Sequence, residues 1–310
     1  MGKYIYGPVP SRRLGRSLGL DIVKAKSCTA NCVYCQIGPR EPLPPIRKRF
    51  FPPEEIENDL RTAIDSAGEI DWITFSGSGE PTLSIDLGRL VEQAKLLEVA
   101  PVCVLTNGTL LSFPNVRAEL AQADLVVPNL DAATSELFAK VVRPHPEITF
   151  DTYISGLKIF AREFSGDLHL EIVLLKGLND SEEHLHKLAE LVGEISPNGV
   201  WVGTVKRPPA ESFARPVDAN VLEKAIRIIG KKAEVIAEFR KSSAVGKSFI
   251  DLQNRVFELL RRRPETAENI AMSLSANPHE VLKALTELIE AGKIIRQISN
   301  ETVFYDLDRN

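Results

Sequence analysis

Short apolar runs alternate with amphipathic stretches along most of the chain. Six of the runs are continuous and rich in β-branched residues, which is typical of strands buried on both faces. These predicted strands are residues 18–23, 72–75, 102–105, 125–127, 168–175 and 200–205. The stretches that follow them have helical periodicity and are residues 53–66, 85–97, 115–121, 150–163, 182–195 and 220–229.

Strands that alternate with helices predict a parallel sheet covered by helices, and therefore an α/β fold. Six such units before residue 240 predict a partial (β/α)6 barrel. In folds of this kind the chemistry lies at the carboxyl ends of the strands, so polar motifs that directly follow a strand are the candidates for a site.

A break in composition at residues 240–248 predicts a linker, because this segment is polar and lacks periodicity. It separates a barrel domain, 1–247, from a second domain, 251–310. In the second domain, helices predicted at 252–262, 266–274 and 278–291 precede a hairpin formed by 293–297 and 302–306. Three helices and a hairpin predict a winged helix-turn-helix.

The third helix of this domain is acidic. It carries Glu280, Glu287 and Glu290 against Lys283 alone, and DNA phosphates would repel such a face. We therefore expect substrate or partner docking from this domain and no specific DNA binding.

Composition and charge narrow the class of protein. No apolar run reaches the roughly 18 residues of a membrane helix, and the first residues show no apolar signal segment, so we expect a cytoplasmic protein with no membrane partner. Residues 1–49 contain ten Lys/Arg and two Asp/Glu, whereas residues 50–250 contain twenty and thirty. The basic excess suits an anionic cofactor or substrate, or is a solvated surface.

Three of the four cysteines lie close together, at Cys28, Cys32 and Cys35. Three thiolates on one loop can each bind a different iron of a cubane cluster, which leaves the fourth iron open to a small chelating ligand. The alternative is a structural zinc site with Cys103 or a histidine as the fourth ligand.

A second motif, Phe75 to Pro81, directly follows the second predicted strand. Gly77 and Gly79 allow a close approach of the backbone to a ligand, and Glu80 can accept from an ammonium group. The alternative is an ordinary turn between strand and helix.

Together, Cys-x3-Cys-x-aromatic-Cys after one strand and Gly-Glu-Pro after the next resemble the radical S-adenosylmethionine (SAM) superfamily. The resemblance implies a [4Fe-4S] cluster on Cys28, Cys32 and Cys35, with the amino and carboxylate groups of SAM on the fourth iron. It also implies further cofactor-binding residues. Tyr34 and Leu178 would lie near the adenine, and Gly77, Gly79 and Glu80 would contact the methionine amino group. Asn129 and Asp131 would contact the ribose or the methionine carboxylate.

The segment Gly7 to Gly15 is similar to a subgroup that includes the wyosine-type tRNA base synthases. Those synthases carry further cysteines upstream of the triad for a second cluster. Residues 1–27 of this chain contain none, which places a second cluster and the wyosine reaction in doubt.

Several basic residues are weaker candidates. Arg12, Arg13 and Arg16 could clamp a phosphate, and the segments that begin at Arg143 and Lys206–Arg207 could bind an anionic substrate or the SAM carboxylate. Solvated charge is the alternative in each case. The candidate motifs lie before residue 210, so we expect the chemistry to reside in the barrel domain alone.

Three hypotheses of function follow. The first is an oxidoreductase that accepts one electron from an external donor of the flavodoxin or ferredoxin type. It cleaves SAM, and the resulting 5′-deoxyadenosyl radical removes a hydrogen atom from an unidentified substrate. The second is modification of a tRNA base by the same chemistry. The third is an iron–sulfur transcription regulator, which would bind duplex DNA tightly and would not turn over SAM.

Overall fold

The computed structural model describes residues 3–236, 249–274 and 276–308, without the side chains of residues 249–251. Its main sheet has eight strands in the order of the chain. They are β1 (Ile5–Ser11), β2 (Gly15–Leu20), β3 (Trp72–Phe75), β4 (Val102–Thr106), β5 (Leu125–Pro128), β6 (Asp167–Leu174), β7 (Gly199–Thr204) and β8 (Ala233–Val235). Strands β2 to β8 are parallel, and β1 is antiparallel to β2.

Helices follow the parallel strands and cover the sheet. They are α1 (Pro53–Ser66), α2 (Leu87–Leu96), α3 (Pro114–Leu120), the short α4 (Ser135–Leu137), α5 (Phe150–Glu163), α6 (Glu182–Ile195) and α7 (Ala219–Ile229). A π-helical turn, Phe138–Val142, continues α4. The α/β class and the repeated strand–helix units are thereby confirmed, and the sheet gains two strands that the sequence pattern does not predict.

Strand β1 escapes prediction because Pro8 and Pro10 interrupt its pattern. Proline cannot donate to a sheet ladder, but an edge strand tolerates it, and β1 pairs with β2 alone through a register shift between Tyr6 and Val9. The strand predicted at 18–23 begins and ends about three residues earlier, as β2, because the hairpin with β1 sets its limits.

Alternation along the strands divides the apolar residues between two cores. Val102 and Val104 of β4 lie in the large core between the sheet and its helices. Cys103, on the opposite face of the same strand, packs in a smaller cluster that also contains Trp201 and Leu14. Cys103 is fully buried there, as a core thiol.

The chain after residue 248 forms the three helices and the hairpin that its pattern predicts. They are α8 (Phe249–Leu260), α9 (Ala267–Leu274), α10 (Pro278–Glu290), β9 (Ile294–Ser299) and β10 (Thr302–Leu307), with β9 and β10 antiparallel. We call this segment the C-terminal unit. Its assignment as a winged helix and the boundary at residues 247–251 stay predictions, and the linker predicted at 240–248 lies outside the described residues.

The C-terminal unit packs directly on β1, at the edge of the main sheet. Tyr6 and Val9 of β1 belong to the same apolar cluster as Leu252, Val256 and Leu259 of α8. In the described part of the chain, no helix combines the length and the apolar character that crossing a membrane requires.

Candidate active site

The three clustered cysteines lie on the loop that follows β2 and line one cavity of about 310 Å³. The loop is held by backbone hydrogen bonds to the π-helical turn and the residue after it. Asn31 N donates to Arg143 O, and Val33 N donates to Val141 O, both at 3.0 Å. The Arg143 side chain pairs with Glu211 at 2.5 Å, so this residue positions the cysteine loop and lies outside the cavity lining.

Two side chains donate hydrogen bonds to cysteine sulfurs. Arg40 Nη2 lies 2.6 Å from Cys35 Sγ, and Asn107 Nδ2 lies 3.3 Å from Cys28 Sγ. Burial, reinforced by the charge of Glu80, raises the pKa of the Cys28 thiol to about 11, and burial raises that of Cys32 well above its usual value. Thiols in such surroundings become thiolates when a metal supplies the compensating charge.

These sulfurs fit an iron–sulfur cluster better than a single ion. No set of three or more His, Cys, Asp or Glu converges on one metal-ion position within the residues that the structure describes. A cubane does not need such convergence, because each thiolate binds a different iron. Cys103 sits in a separate apolar cluster, so the zinc alternative with Cys103 as fourth ligand is wrong.

The segment after β3 brings two glycines against the cysteine loop. A Cβ on Gly79 would lie 2.3 Å from the carbonyl oxygen of Ser27, and one on Gly77, whose φ is +148°, would lie 2.4 Å from the carboxyl carbon of Asp21. Only glycine permits this approach. The segment therefore lies beside Cys28 and shares its cavity.

Glu80 is 2% exposed and clamps the ends of two strands together. Its Oε1 accepts hydrogen bonds from Thr106 Oγ1 at 2.6 Å and from the backbone and hydroxyl of Thr82. Its Oε2 accepts from the Asn107 backbone at 2.7 Å. Burial raises the pKa of this carboxyl group, and the four donors oppose the rise. Oε2 can accept one more hydrogen bond, from a group bound in the cavity.

Tyr34 and Asn129 also line this cavity, and Asp131 fixes the position of the Tyr34 side chain through a hydrogen bond. The Tyr34 hydroxyl donates to Asp131, which is buried and also accepts from the Val173 backbone at 2.7 Å. Burial raises the pKa of Asp131 to about 7, against the effect of these donors.

The structure thus brings most of the predicted site residues to the cavity of the three cysteines. Its lining includes Tyr34, Gly77, Gly79, Glu80 and Asn129. Asp131 and Leu178 are outside this lining, and Leu178 packs in the apolar cluster next to Tyr34. Direct contact of either residue with a cofactor stays a prediction.

Basic side chains form a further part of the lining, and two of them come from the C-terminal unit. That the chemistry resides in the barrel domain alone stays a prediction. Arg12, Arg13 and Lys206–Arg207 line the cavity together with Arg262 and Arg263 of the C-terminal unit. The unit reaches the cavity because α9 packs on β1. The basic run at Arg261–Arg263 is the one sequence signal for this role. Arg16 instead pairs with Asp71 on the surface, at 2.8 Å.

Comparison with known proteins agrees with this site. Residues 22–189 match the Radical SAM superfamily. The chain is 30% identical over 309 residues to UPF0026 protein MJ1312 of Methanocaldococcus jannaschii, which covers 97% of this chain and 94% of that protein. It is 36% identical to GTPase Obg of Brachyspira hyodysenteriae over 98% of its own length, but it spans only 45% of that protein.

A solved structure shares the fold. SuiB of Streptococcus suis, bound to S-adenosylmethionine, superposes with a TM-score of 0.51 over 66% of this chain and 44% of that chain, at 20% identity.

Proposed function

Because the chain belongs to the radical SAM superfamily and to the UPF0026 family, we propose that it is an enzyme that cleaves SAM reductively to start radical chemistry on a substrate. When bound, a [4Fe-4S] cluster supplies the electron that breaks a carbon–sulfur bond of SAM, giving methionine and a 5′-deoxyadenosyl radical. The electron comes from an external one-electron donor. The radical then removes a hydrogen atom from the substrate.

One observation carries this proposal. The cysteine triad with Tyr34, the glycine–glutamate segment and Asn129 come from three separate stretches of the chain, yet they line one cavity. They meet because the loops after β2, β3 and β5 all lie at the carboxyl edge of the parallel sheet, within four consecutive strands. A structural iron–sulfur site would need the cysteines but not the other two groups.

Each group has a task in that reaction. Cys28, Cys32 and Cys35 hold the cluster, and the donors Arg40 and Asn107 stabilise negative charge on two of the sulfurs. Hydrogen bonds to cluster sulfurs raise the reduction potential, which eases electron entry. The walls from Gly77 and Tyr34 orient SAM and exclude water. The C-terminal unit closes one side of the cavity and belongs to substrate recognition.

Glu80→Gln is expected to weaken SAM binding more than it weakens cluster assembly. The amide keeps the size of the side chain but loses the charge that would attract the SAM ammonium group. Charge-assisted hydrogen bonds contribute about 1.5–3 kcal/mol, so we expect a roughly 10- to 150-fold higher Kd for SAM, measured by equilibrium dialysis of the iron-loaded protein. The matched control is Glu92→Gln, an exposed position on α2. Equal SAM affinity in the two variants would remove Glu80 from the binding site.

Iron and acid-labile sulfide analysis tests the proposed cofactor. The chain has three cysteines in the cavity, so we expect about four irons and four sulfides per anaerobically reconstituted chain. About eight irons per chain would indicate a second cluster. Stoichiometric zinc without iron would contradict the proposal.

A further inference from the structure

A second cavity, of about 420 Å³, lies beside the cysteine cavity, between the β1–β2 hairpin and the C-terminal unit. We call it the basic chamber. The hairpin contributes Ser11, Arg12 and Arg13 to its wall, and the C-terminal unit contributes Arg263 and Asn269. The two cavities are continuous in their lining, because eight residues line both. Those shared residues are Tyr6, Arg12, Arg13, Ser76, Leu105, Lys206, Arg207 and Arg263.

Positive charge dominates the wall of the basic chamber. Five cationic side chains line it, and they are Arg12, Arg13, Lys206, Arg207 and Arg263. Among the described residues, Glu268 is the one carboxylate in the lining of the chamber. Glu171, which lines the adjoining cysteine cavity, and the buried Glu265 pair with cations of the chamber. Cationic side chains therefore outnumber carboxylates in the described lining of the chamber.

The described ion pairs leave Arg12 and the Nε of Arg13 without acceptors. Glu265, 1% exposed, accepts from Arg207 Nη2 at 2.9 Å and from Arg263 Nε at 2.7 Å, so one carboxylate serves two guanidinium groups. Arg13 pairs with Glu171, but its buried Nε has no hydrogen-bond partner in the described structure. Arg12 makes no hydrogen bond or ion pair with any described residue and interacts with Glu171 and Glu265 only at longer range.

Keeping these cations close together, away from water, costs free energy. Burial lowers the pKa of Arg207 to about 10, and burial together with the charge of Arg13 lowers the pKa of Arg12. Arg207 therefore remains charged at neutral pH. A bound anion would offset this cost by supplying the missing negative charge and acceptor oxygens.

We propose that the basic chamber binds the phosphate group of a small phosphorylated substrate, with Arg12 and Arg13 as its principal donors. This inference rests on the proposed function, since it names the class of substrate for the adjoining cavity. A phosphate monoester carries up to two negative charges at neutral pH and three acceptor oxygens, which suits two neighbouring guanidinium groups that lack a full set of acceptors. The hydroxyl groups of Ser11, Thr266 and Thr302 in the wall supply further donors.

The size of the chamber favours a small molecule over a nucleic acid. Its volume lies within the range of roughly 300–1,000 Å³ typical of small-molecule sites. The C-terminal unit forms one wall, and its helix α10 presents exposed Glu280 and Glu290, which would repel a phosphate backbone.

Equilibrium binding of glycerol 3-phosphate to the full-length, iron-loaded protein tests the proposal without reductant or turnover. Titrations use isothermal calorimetry at constant ionic strength, with succinate as the dicarboxylate probe and a single-stranded RNA oligonucleotide as the nucleic-acid probe. We expect glycerol 3-phosphate to bind with the lowest Kd among these probes. Arg12→Gln should raise that Kd by about 10-fold or more, because a charge-assisted hydrogen bond is lost, while Arg12→Lys should raise it less. The matched control Arg61→Gln, exposed on α1, should leave it unchanged.

Four results would overturn the proposal. They are an equal Kd in Arg12→Gln and Arg61→Gln, tighter binding of succinate than of glycerol 3-phosphate, binding of RNA alone, and competitive displacement of glycerol 3-phosphate by SAM. The last would assign the cations to the SAM carboxylate. A different result would refute the proposed function without affecting the phosphate site. A wild-type protein that binds glycerol 3-phosphate but forms no deoxyadenosine would refute SAM cleavage and leave the chamber assignment standing.

Discussion

Cys32→Ala is expected to abolish deoxyadenosine formation and to remove most of the bound iron. Cys32 supplies one of three thiolates on a single loop, and the cavity has no spare cysteine, because Cys103 is buried in a separate cluster. Changes even to outer partners of metal ligands typically cost about 10- to 100-fold in affinity or activity, so loss of a ligand should exceed about 100-fold. Iron content, visible absorbance and deoxyadenosine yield measure the effect.

Cys103→Ala is the matched control. It removes a thiol of the same kind from β4, where the side chain is fully buried among apolar residues. Stability should fall somewhat because a small cavity is created, but iron content and deoxyadenosine yield per folded chain should stay at the wild-type level. If Cys103→Ala loses its iron as well, or if Cys32→Ala retains a full cluster, the assignment of the ligands is incorrect.

Glu265→Ala is expected to cause the largest loss of stability among changes outside the apolar core. Its carboxylate lies between Arg207 and Arg263 and also accepts from Asn269 Nδ2 at 3.0 Å. Removal leaves two guanidinium groups close together, in a place from which water is largely excluded. Breaking such a buried pair costs about 3–5 kcal/mol, so the free energy of unfolding in urea should fall by about that amount.

The pH dependence gives this prediction a second readout. Burial alone would raise the pKa of Glu265, but Arg207 and Arg263 outweigh it and hold the pKa below its usual value. A carboxyl group of this kind stabilises the fold above its ordinary pKa, and this contribution is lost as the pH falls through the folded-state pKa. The difference between wild type and Glu265→Ala should therefore shrink in acid. Glu290→Ala, exposed at the end of α10, is the control. A change of less than about 1 kcal/mol at neutral pH would show that the pairs are not integral to the fold.

Local patterns in the sequence predict most strands of the main sheet and most of the helices that cover it. Helices α5 and α6 have the predicted bounds, since each combines an apolar stripe with a Thr or Ser that caps its first turn. The cysteine triad and the segment from Gly77 to Glu80 are visible as motifs because their residues are close in sequence. The sheet then brings the two motifs together in the way that parallel strand order dictates.

The contribution of the C-terminal unit to the site could not be predicted in the same way. Arg262 and Arg263 lie about 250 residues from Arg12 in the chain, and they approach it because β1 packs against α9 and shares an apolar cluster with the C-terminal unit. No local periodicity encodes such a contact. The apolar side chains that make it are also hidden in β1, whose prolines obscure the strand. Long-range packing thus decides which basic residues reach the cavity.

Deoxyadenosine formation by the wild-type protein tests the central claim most directly. The anaerobically reconstituted full-length chain is incubated with SAM and a strong one-electron reductant, and the products are separated by liquid chromatography and identified by mass. We expect 5′-deoxyadenosine and methionine in about equal amounts, since cleavage of one carbon–sulfur bond releases both, and neither product without reductant. A protein with a full complement of iron and sulfide that binds SAM but releases no deoxyadenosine would contradict the claim, and would favour a regulatory or structural role for the cluster.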